Sequence, residues 1–365
     1  MRLLLWYWGR RGGGAQFTLG LARALAARGD VSLELALSSG NELLPECYAT
    51  GCPVTLTETY NSRASFFRAV PRIPAAGRSL AERARKADLV LSTMTHLWTP
   101  LVAPLLAVPY VPVVHEARPH LGDSSLLWSW RLKTELKAAR AVVTLSDGVT
   151  ADLREIAPAL PCLRIRLLAL PRLPRQTIAG PPRFLFFGRL RAYKGLDLLR
   201  DAFALLQKDE PGVLLRVIGE GDAEACAPGL SQQPGVTVES RWVPEGEVAS
   251  LLSTATAVVL PYYAASQSGI VPQALALGVP VIATPVAGLR EQLGDGEGAI
   301  FADKPTPEAF ARAMREFLVP ATHARLRQEA RNASTTAVDW ATEAALLVEG
   351  LRPLIDRYRD ASPVR

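Results

Sequence analysis

Two long cationic side chains flank a glycine-containing turn near the middle of the sequence. The segment Phe184–Gly195, FLFFGRLRAYKG, places Arg189 and Lys194 directly after an all-apolar run. Such a run predicts a buried parallel strand, and open α/β sheets bind their ligands at the carboxyl ends of such strands. A guanidinium and an ammonium directed at one spot suit a diphosphate, whereas a solvated basic loop is the alternative for this stretch alone.

A second candidate for phosphate binding precedes a predicted helix over Gly269–Leu277. The loop contains Ser266, Gln267, Ser268 and Gly269, which offer hydroxyl, amide and backbone N–H groups at the helix N-terminus. A predicted strand over 258–260 leads into this loop, so both candidate loops belong to one run of alternating strands and helices. Together they indicate one phosphate site.

The amino-terminal part of the chain also has a glycine loop. Gly12, Gly13 and Gly14 lie between an apolar strand and a helical run, where they permit close backbone approach to a ligand or simply form a tight turn. The loop is not GxGxxG and no acidic residue is placed for a ribose, which argues against a dinucleotide site. His115 is a further candidate, because it lies at the carboxyl end of a predicted strand beside Glu116.

These loops require strands and helices that alternate twice along the chain. A length of 365 residues is comfortable for two domains, and the proline-rich segment Pro161–Pro182 marks the connection between them. The predicted fold class is α/β, with two doubly wound domains that face one another across a cleft. An apolar stripe over 338–358 predicts a long final helix.

Charge narrows the range of partners. The net charge is +6 and the pI is about 9.3, which suits an anionic partner such as a sugar nucleotide, a membrane surface or a nucleic acid. No nucleic-acid-binding signature accompanies the charge, so we predict no nucleic-acid partner. Arginines alternate with Phe66 and Phe67 over Tyr60–Ser79, which suits an anionic membrane or a phosphorylated acceptor, with a solvated loop as the alternative.

The cysteines favour a cytoplasmic protein. The four cysteines are scattered and lack metal-ligand spacing, so we expect reduced thiols and no metal site. Glycines at 9–14 interrupt any signal-peptide core, and prolines break the apolar run 101–114, so neither predicts a leader or a membrane span.

The assembled motifs resemble glycosyltransferase family 4, a retaining and metal-independent class with the GT-B fold. The resemblance extends over nearly the whole chain. It is carried by the glycine loop, the pair His115-Glu116, VTLSDGV at 143–149, FFGRLRAYKG, VIGEGD at 217–222, and ALALGVPVIAT followed by Gly288 and Glu291.

The resemblance implies a domain plan and a donor. An N-terminal Rossmann-like acceptor domain would cover 1–170, a C-terminal nucleotide-sugar-binding domain 171–337, and a helix over 338–365 would cross back to the first domain. The donor would be a nucleoside-diphosphate sugar, with no cofactor.

It also implies roles for single residues. Arg189, Lys194 and the amides of Ser266 through Ile270 would hold the diphosphate. The base would lie against the backbone at Trp242 and Val243, the glycine loop at Gly13 and Gly14 would line the substrate site, and His115 would contact the transferred sugar.

One feature departs from the family pattern. The family has two glutamates around the phosphate loop, and the corresponding positions here are Ala265, or Ser266 after a one-residue shift, and Gln273. Glutamine can accept a hydrogen bond from a ribose hydroxyl but is neutral, so that contact should be weaker than one to a carboxylate. Sugar recognition would then use a different donor, or pass to Ser266 and Gln267.

The function indicated is sugar transfer from a nucleoside-diphosphate sugar to an acceptor hydroxyl in glycan, glycolipid or polysaccharide biosynthesis. The acceptor would be a glycan or a lipid-linked molecule, with peripheral contact to an anionic membrane through 60–79. Two alternatives remain: an isomerase or phosphorylase of the same fold, and a non-catalytic sugar-nucleotide-binding relative, which the missing glutamates favour.

Overall fold

The computed structural model describes residues 1–60, 63–119, 125–170, 180–336 and 339–361. It divides the chain into two compact units. Unit 1 comprises Met1–Pro119, Asp123–Leu170 and Val338–Arg365, and unit 2 comprises His120–Gly122 and Pro171–Ala337. The predicted proline-rich connection lies partly outside the described residues, at 171–179.

Unit 1 is built on a parallel sheet of seven strands in the order β3-β2-β1-β4-β5-β6-β7. The strands are β1 (Arg2–Tyr7), β2 (Ser32–Ser38), β3 (Val54–Thr57), β4 (Leu89–Ser92), β5 (Tyr110–Val114), β6 (Val142–Thr144) and β7 (Cys162–Arg164). The strand order reverses between β1 and β4, and ligands of open α/β sheets bind at the carboxyl edge of such a switch point.

Helices cover both faces of this sheet. They are α1 (Gly13–Ala26), α2 (Leu44–Tyr48), α3 (Arg63–Ala69), α4 (Ile73–Ala84), α5 (Thr99–Val102), α6 (Ser125–Ala138) and α7 (Asp147–Ile156), with 3₁₀ turns at Val70–Arg72 and Ala103–Leu105. Alternate residues of β1 enter the two cores: Leu3 and Leu5 lie under α1, and Leu4 and Trp6 lie on the side of α4, α5 and α6.

Segment 60–79, for which a solvated loop was one of the predictions, is largely helical where the structure describes it. Helices α3 and α4 cover 63–69 and 73–84, and Gly77, Leu80 and Ala84 of α4 are buried at helical spacing. The loop alternative for Tyr60–Ser79 is therefore wrong over these ranges, because its apolar residues follow a helical period and pack on the sheet. Residues 61 and 62 lie outside the described residues.

Unit 2 has a parallel sheet of six strands in the order β10-β9-β8-β11-β12-β13. The strands are β8 (Arg183–Phe187), β9 (Leu214–Gly219), β10 (Val236–Ser240), β11 (Ala257–Leu260), β12 (Val281–Ala283) and β13 (Ala299–Phe301). The helices are α8 (Leu196–Gln207), α9 (Ala223–Cys226), α10 (Glu245–Ser253), α11 (Ile270–Ala276), α12 (Ala287–Leu293), α13 (Pro307–Leu318) and α14 (Pro320–Thr336), with 3₁₀ turns at Ala192–Lys194 and Leu230–Gln232. The predicted α/β class, with two doubly wound sheets, is confirmed.

The last helix, α15 (Trp340–Ala361), packs within unit 1. Its residues Leu347, Val348 and Leu351 are buried in the core under α1. The Trp340 indole Nε1 donates to the carbonyl of Ala169 at 2.8 Å, and the amide of Arg166 donates to the Glu343 carboxylate at 2.9 Å. No helix in the described ranges combines the length and apolar character needed to cross a bilayer.

Candidate functional site

In unit 2 the loops that follow β8 and β11 touch one another. These two strands are neighbours in the sheet, so their carboxyl ends lie side by side. The amide of Tyr263 donates to the carbonyl of Tyr193 at 2.9 Å. Gly195 adopts a φ of +67°, and a Cβ there would lie 1.9 Å from the carbonyl oxygen of Pro261. Only glycine permits this approach, which brings Lys194 to the loop after β11.

Lys194 is positioned by an aromatic ring of that loop. Its Nζ lies 3.7 Å from the ring centroid of Tyr262, which is 1% exposed, and this is a cation–π contact. The Tyr262 hydroxyl is 3.3 Å from the hydroxyl of Ser268. The structure therefore brings together two residues that the sequence had singled out separately, Lys194 and Ser268, through a tyrosine that it had not singled out.

Gln292 on α12 holds the backbone of Ser268 at two points. Its Oε1 accepts from the Ser268 amide at 2.6 Å, and its Nε2 donates to the Ser268 carbonyl at 3.2 Å. At the start of the same helix, a Cβ on Gly288 would lie 2.3 Å from the carbonyl oxygen of Ala265. The loop after β11 is thus fixed from α12.

This geometry corrects one expectation about the backbone donors. The amide of Ser268, which the sequence assigned to the diphosphate, donates to Gln292 instead. Helix α11 has only seven residues, and its remaining N-terminal amides follow Ser268. Nothing in the sequence pattern indicated Gln292, because its contact depends on how α12 packs.

Arg189 lies in the turn after β8. The turn is held by the amide of Leu190, which donates to the carbonyl of Glu220 at 3.0 Å, and by Gly188 at a φ of +148°. Arg189 is exposed. Among the described residues no carboxylate pairs with Arg189 or Lys194, whereas arginines elsewhere in unit 2, such as Arg216, form ion pairs. A pair of uncompensated cations favours an anionic ligand.

The two positions that lack the family glutamates are both in this region. Gln273 is buried on α11, and its Nε2 donates to the carbonyl of Gly269 at 3.1 Å. Ala265, Ser266 and Gln267 are half-buried in the loop, and Ile270 is buried as the first residue of α11.

The predicted base-binding residues follow strand β10, which is two strands away from β8 in the sheet. Val243 is buried and Trp242 is half-buried. The carbonyl of Trp242 accepts a hydrogen bond from Arg241 at 3.2 Å. Val243 also lines a small pocket against α10 together with Arg216, Arg241, Glu247, Ser250, Leu251 and Thr254.

In unit 1 the glycine loop after β1 contacts the loops that follow β2 and β4. Gly12 adopts a φ of +77°, and its amide donates to the Glu42 carboxylate at 2.6 Å. Gly14 is buried, and a Cβ there would lie 2.8 Å from the sulfur of Met94. Gly13 is exposed, with no atom of the described structure within 4 Å of an added Cβ. Gly13 is therefore the glycine that leaves room for a ligand.

His115 is anchored to the loop after β4. Its Nε2 lies 2.8 Å from the carbonyl of Thr93, so this nitrogen carries the proton and donates. The hydroxyl of Thr93 is 2.6 Å from that of Thr18, which in turn donates to the carbonyl of Gly14. Desolvation lowers the pKa of His115, while the Thr93 carbonyl and Glu116 act in the opposite direction. The result is an imidazole that favours its neutral form.

The described residues contain no group of three or more His, Cys, Asp or Glu side chains arranged to hold a metal ion.

Comparison with known families identifies both halves of the chain. The model described as "Glycosyltransferase Family 4" matches residues 11–168, and the model described as "Glycosyl transferases group 1" matches residues 174–333. The chain belongs to glycosyltransferase family 4.

Curated relatives match parts of the chain. Glycogen synthase of Mycobacterium tuberculosis is 26% identical over 253 residues, which cover 65% of this chain and 61% of that protein. D-inositol 3-phosphate glycosyltransferase of Streptomyces avermitilis is 30% identical over 217 residues, covering 56% of this chain and 45% of that protein. The chain thus spans less than two thirds of the length of each of these relatives.

Solved structures resemble the chain over nearly its full length. Sucrose-phosphate synthase from Thermosynechococcus elongatus has a TM-score of 0.77 at 19% identity, covering 98% of this chain and 99% of that chain. HepE from Anabaena, solved in complex with UDP-glucose, has a TM-score of 0.74 at 15% identity, covering 97% of this chain and 100% of that chain. These likenesses show the GT-B fold.

Proposed function

We propose that this protein transfers a sugar from a nucleoside-diphosphate sugar to an acceptor hydroxyl with retention of anomeric configuration. The observation that carries the proposal is the placement of Lys194. Its ammonium is held over Tyr262 beside Ser268, and no carboxylate among the described residues pairs with it or with Arg189. That arrangement suits the diphosphate of a donor. The complexes of HepE with UDP and UDP-glucose support the same class of donor.

The proposed chemistry is substitution on one face of the sugar. The bond between the anomeric carbon and the diphosphate oxygen breaks, the acceptor oxygen bonds to that carbon, and the acceptor's proton passes to the departing diphosphate. Arg189 and Lys194 stabilise the negative charge that develops on the leaving group. The reaction as proposed uses no metal and no cofactor.

We assign the remaining roles within each unit. In unit 2, the backbone at Trp242 and Val243 contacts the base, Gln273 accepts from a ribose hydroxyl, and Gln292 positions Ser268. In unit 1, Gly13 leaves space for substrate and His115 contacts the transferred sugar in its neutral form. The Thr93 carbonyl fixes the orientation of that imidazole.

The acceptor in this proposal is a glycan or a lipid-linked molecule at the cytoplasmic face of a membrane. Segment 60–79 contributes contact with anionic lipid. Within it Phe67 is 75% exposed, and Arg68, Arg72 and Arg78 are exposed as well. Arginines beside an exposed aromatic ring suit a headgroup region.

The test is incubation of the protein with a panel of UDP-, GDP- and dTDP-sugars and candidate acceptors, followed by mass spectrometry. We expect one donor to be consumed and to yield a glycoside, with turnover unchanged by EDTA. Proton NMR of that product should show the anomeric configuration of the donor. An inverted product would overturn the retaining mechanism, and loss of turnover in EDTA would overturn metal independence.

A non-catalytic role has one observation in its favour, namely Ala265 and Gln273 at the positions of the family glutamates. In that case the panel would reveal binding of a sugar nucleotide without consumption of any donor. A binding measurement on the same panel separates this outcome from failure to recognise nucleotides.

A further inference from the structure

Unit 1 exposes large apolar side chains on one side of its sheet. Helices α3, α4, α5 and α6 cover the core that contains Trp6 and Trp98. Helix α5 and the 3₁₀ turn after it contact both α4 and α6, and the 3₁₀ turn Val70–Arg72 contacts both α3 and α4, so the four helices form one continuous surface. We call its exposed apolar part the apolar face, which includes Phe67, Leu101, Leu105, Leu126, Leu127 and Trp130.

Packing of the unit does not require these side chains. Helix α6 inserts Leu132 and Leu136 into the core, whereas Leu126 at its start is 85% exposed. On α5, Val102 is buried and Leu101 is half-exposed. A cluster of exposed apolar residues of this size marks an interaction surface more often than a freely solvated one.

The charge beside the apolar face is positive. Segment 63–84, which holds α3 and α4, contains five arginines and one acidic residue, Glu82, and segment 89–114 contains no Asp, Glu, Lys or Arg. Segment 125–140 has four cations and one acid, Glu135, whose buried carboxylate accepts hydrogen bonds from Tyr110 and Thr95. Arg72 pairs with Glu58, which lies outside these segments.

One stripe of α6 combines both properties. Leu126, Trp130, Lys133 and Lys137 follow one another at spacings of four, three and four residues, and all four are exposed. The stripe therefore begins apolar and ends cationic. Tryptophan and leucine enter the boundary between headgroups and acyl chains, while lysines reach anionic headgroups.

We infer that the apolar face docks unit 1 on an anionic lipid bilayer, with Leu126, Leu127 and Trp130 in the headgroup–acyl boundary and the lysines of α6 on the headgroups. A second copy of the chain would bring like charges together, which disfavours self-association through this face. The inference deepens the acceptor side of the proposed function and rests on it only for the presence of a lipid-linked acceptor. In this inference the main membrane contact is made by α6, and segment 60–79 contributes a smaller part.

The test is co-sedimentation of the full chain with vesicles, in the absence of donor and acceptor. Vesicles of phosphatidylcholine with phosphatidylglycerol are compared with vesicles of phosphatidylcholine alone. The apolar variant carries Leu126→Ser, Leu127→Ser and Trp130→Ser, and its control carries Leu346→Ser, which changes an exposed leucine of α15. The charge variant carries Lys133→Glu and Lys137→Glu, and its control carries Lys208→Glu and Lys304→Glu in unit 2.

We expect binding only to the anionic vesicles. The apolar variant should bind roughly tenfold or more weakly, and the charge variant about 25-fold or more weakly, since each cation near such a surface strengthens partitioning about fivefold. Both controls should bind like the wild type. Equal binding to neutral vesicles, or wild-type binding by either variant, would overturn the inference.

Two further measurements distinguish bilayer docking from self-association and from nucleotide binding. Light scattering of the wild type and the apolar variant reports a dimer that depends on this face, and such a dimer would overturn the bilayer as occupant. Nucleoside-diphosphate binding by the same variants should be unchanged. If the wild type binds vesicles but no nucleotide, the proposed function fails while the docking inference stands.

Discussion

Replacing Lys194 with methionine removes one charge from the proposed diphosphate site and leaves most of the side chain in place. The thioether can still pack on the Tyr262 ring, so we expect the free energy of unfolding to stay near that of the wild type. What is lost is the interaction of the ammonium with phosphate oxygens. A hydrogen bond to a charged group contributes about 1.5–3 kcal/mol.

The position of Lys194 favours the lower part of that range. The side chain is half-buried, so solvent screens part of its charge. A loss of about 1.5–2 kcal/mol corresponds to a Kd about tenfold to thirtyfold weaker. The assay is titration calorimetry with whichever of UDP, GDP and dTDP binds best.

Two comparisons sharpen the result. The matching nucleoside, which lacks phosphates, should bind the wild type and Lys194→Met equally, and the exposed Lys208→Met variant should bind the diphosphate like the wild type. Combining Lys194→Met with Arg189→Ala should weaken binding by less than the sum of the single effects if both contact one diphosphate. Unchanged diphosphate affinity, or an equal loss for the nucleoside, would refute the placement.

Four other predictions concern separate parts of the molecule. His115→Ala should lower turnover far more than nucleoside-diphosphate affinity, measured by initial rates and calorimetry, and an equal loss of both would favour a structural histidine. Gln273→Glu should tighten nucleoside-diphosphate binding, because a carboxylate accepts from ribose more strongly, and the gain should vanish with a 2′,3′-dideoxy analogue; no gain with the normal ligand would show that residue 273 does not face the ribose. Truncation before Val338 should remove hydrogen-exchange protection from residues 1–160 and preserve nucleotide binding, because Leu347 and Leu351 pack in unit 1; loss confined to 180–330 would contradict this. The free energy of unfolding should fall as the pH drops from about 6.5 toward 3, because burial lowers the pKa of His96 to about 3 and the unfolded chain then binds the additional proton; denaturant titrations should show a flatter profile for His96→Asn, and an equal slope would exclude His96 as the cause.

The two sheets could be predicted because most of their strands are short apolar runs, and several of them, such as β1, β8 and β9, lead into a glycine-containing turn. The runs at β8 and β11 are buried on both faces, which leaves few other structures for such residues. Gly195 was visible in the sequence as the last residue of FLFFGRLRAYKG, but its left-handed conformation and its close approach to the carbonyl of Pro261 became clear only from the structure.

The supporting contacts of the candidate site could not be predicted. Gln292 lies 24 residues after Ser268, and its double hydrogen bond depends on how α12 packs against the loop. Tyr262 looks like any aromatic residue at the end of a strand until Lys194 is placed over its ring. The helices over 63–84 could not be predicted with certainty either. Prolines and arginines obscure their helical period, which becomes clear only from the burial of Leu80 and Ala84.

The most direct test of sugar transfer is the stoichiometry of one reaction, followed with and without acceptor. With the donor selected by the panel, we predict that released nucleoside diphosphate and newly formed glycoside appear in equal amounts, only when acceptor is present, and much more slowly in Lys194→Met. Conversion of the donor without any acceptor, or phosphate-dependent breakdown of a glucan, would contradict the account and favour an isomerase or a phosphorylase.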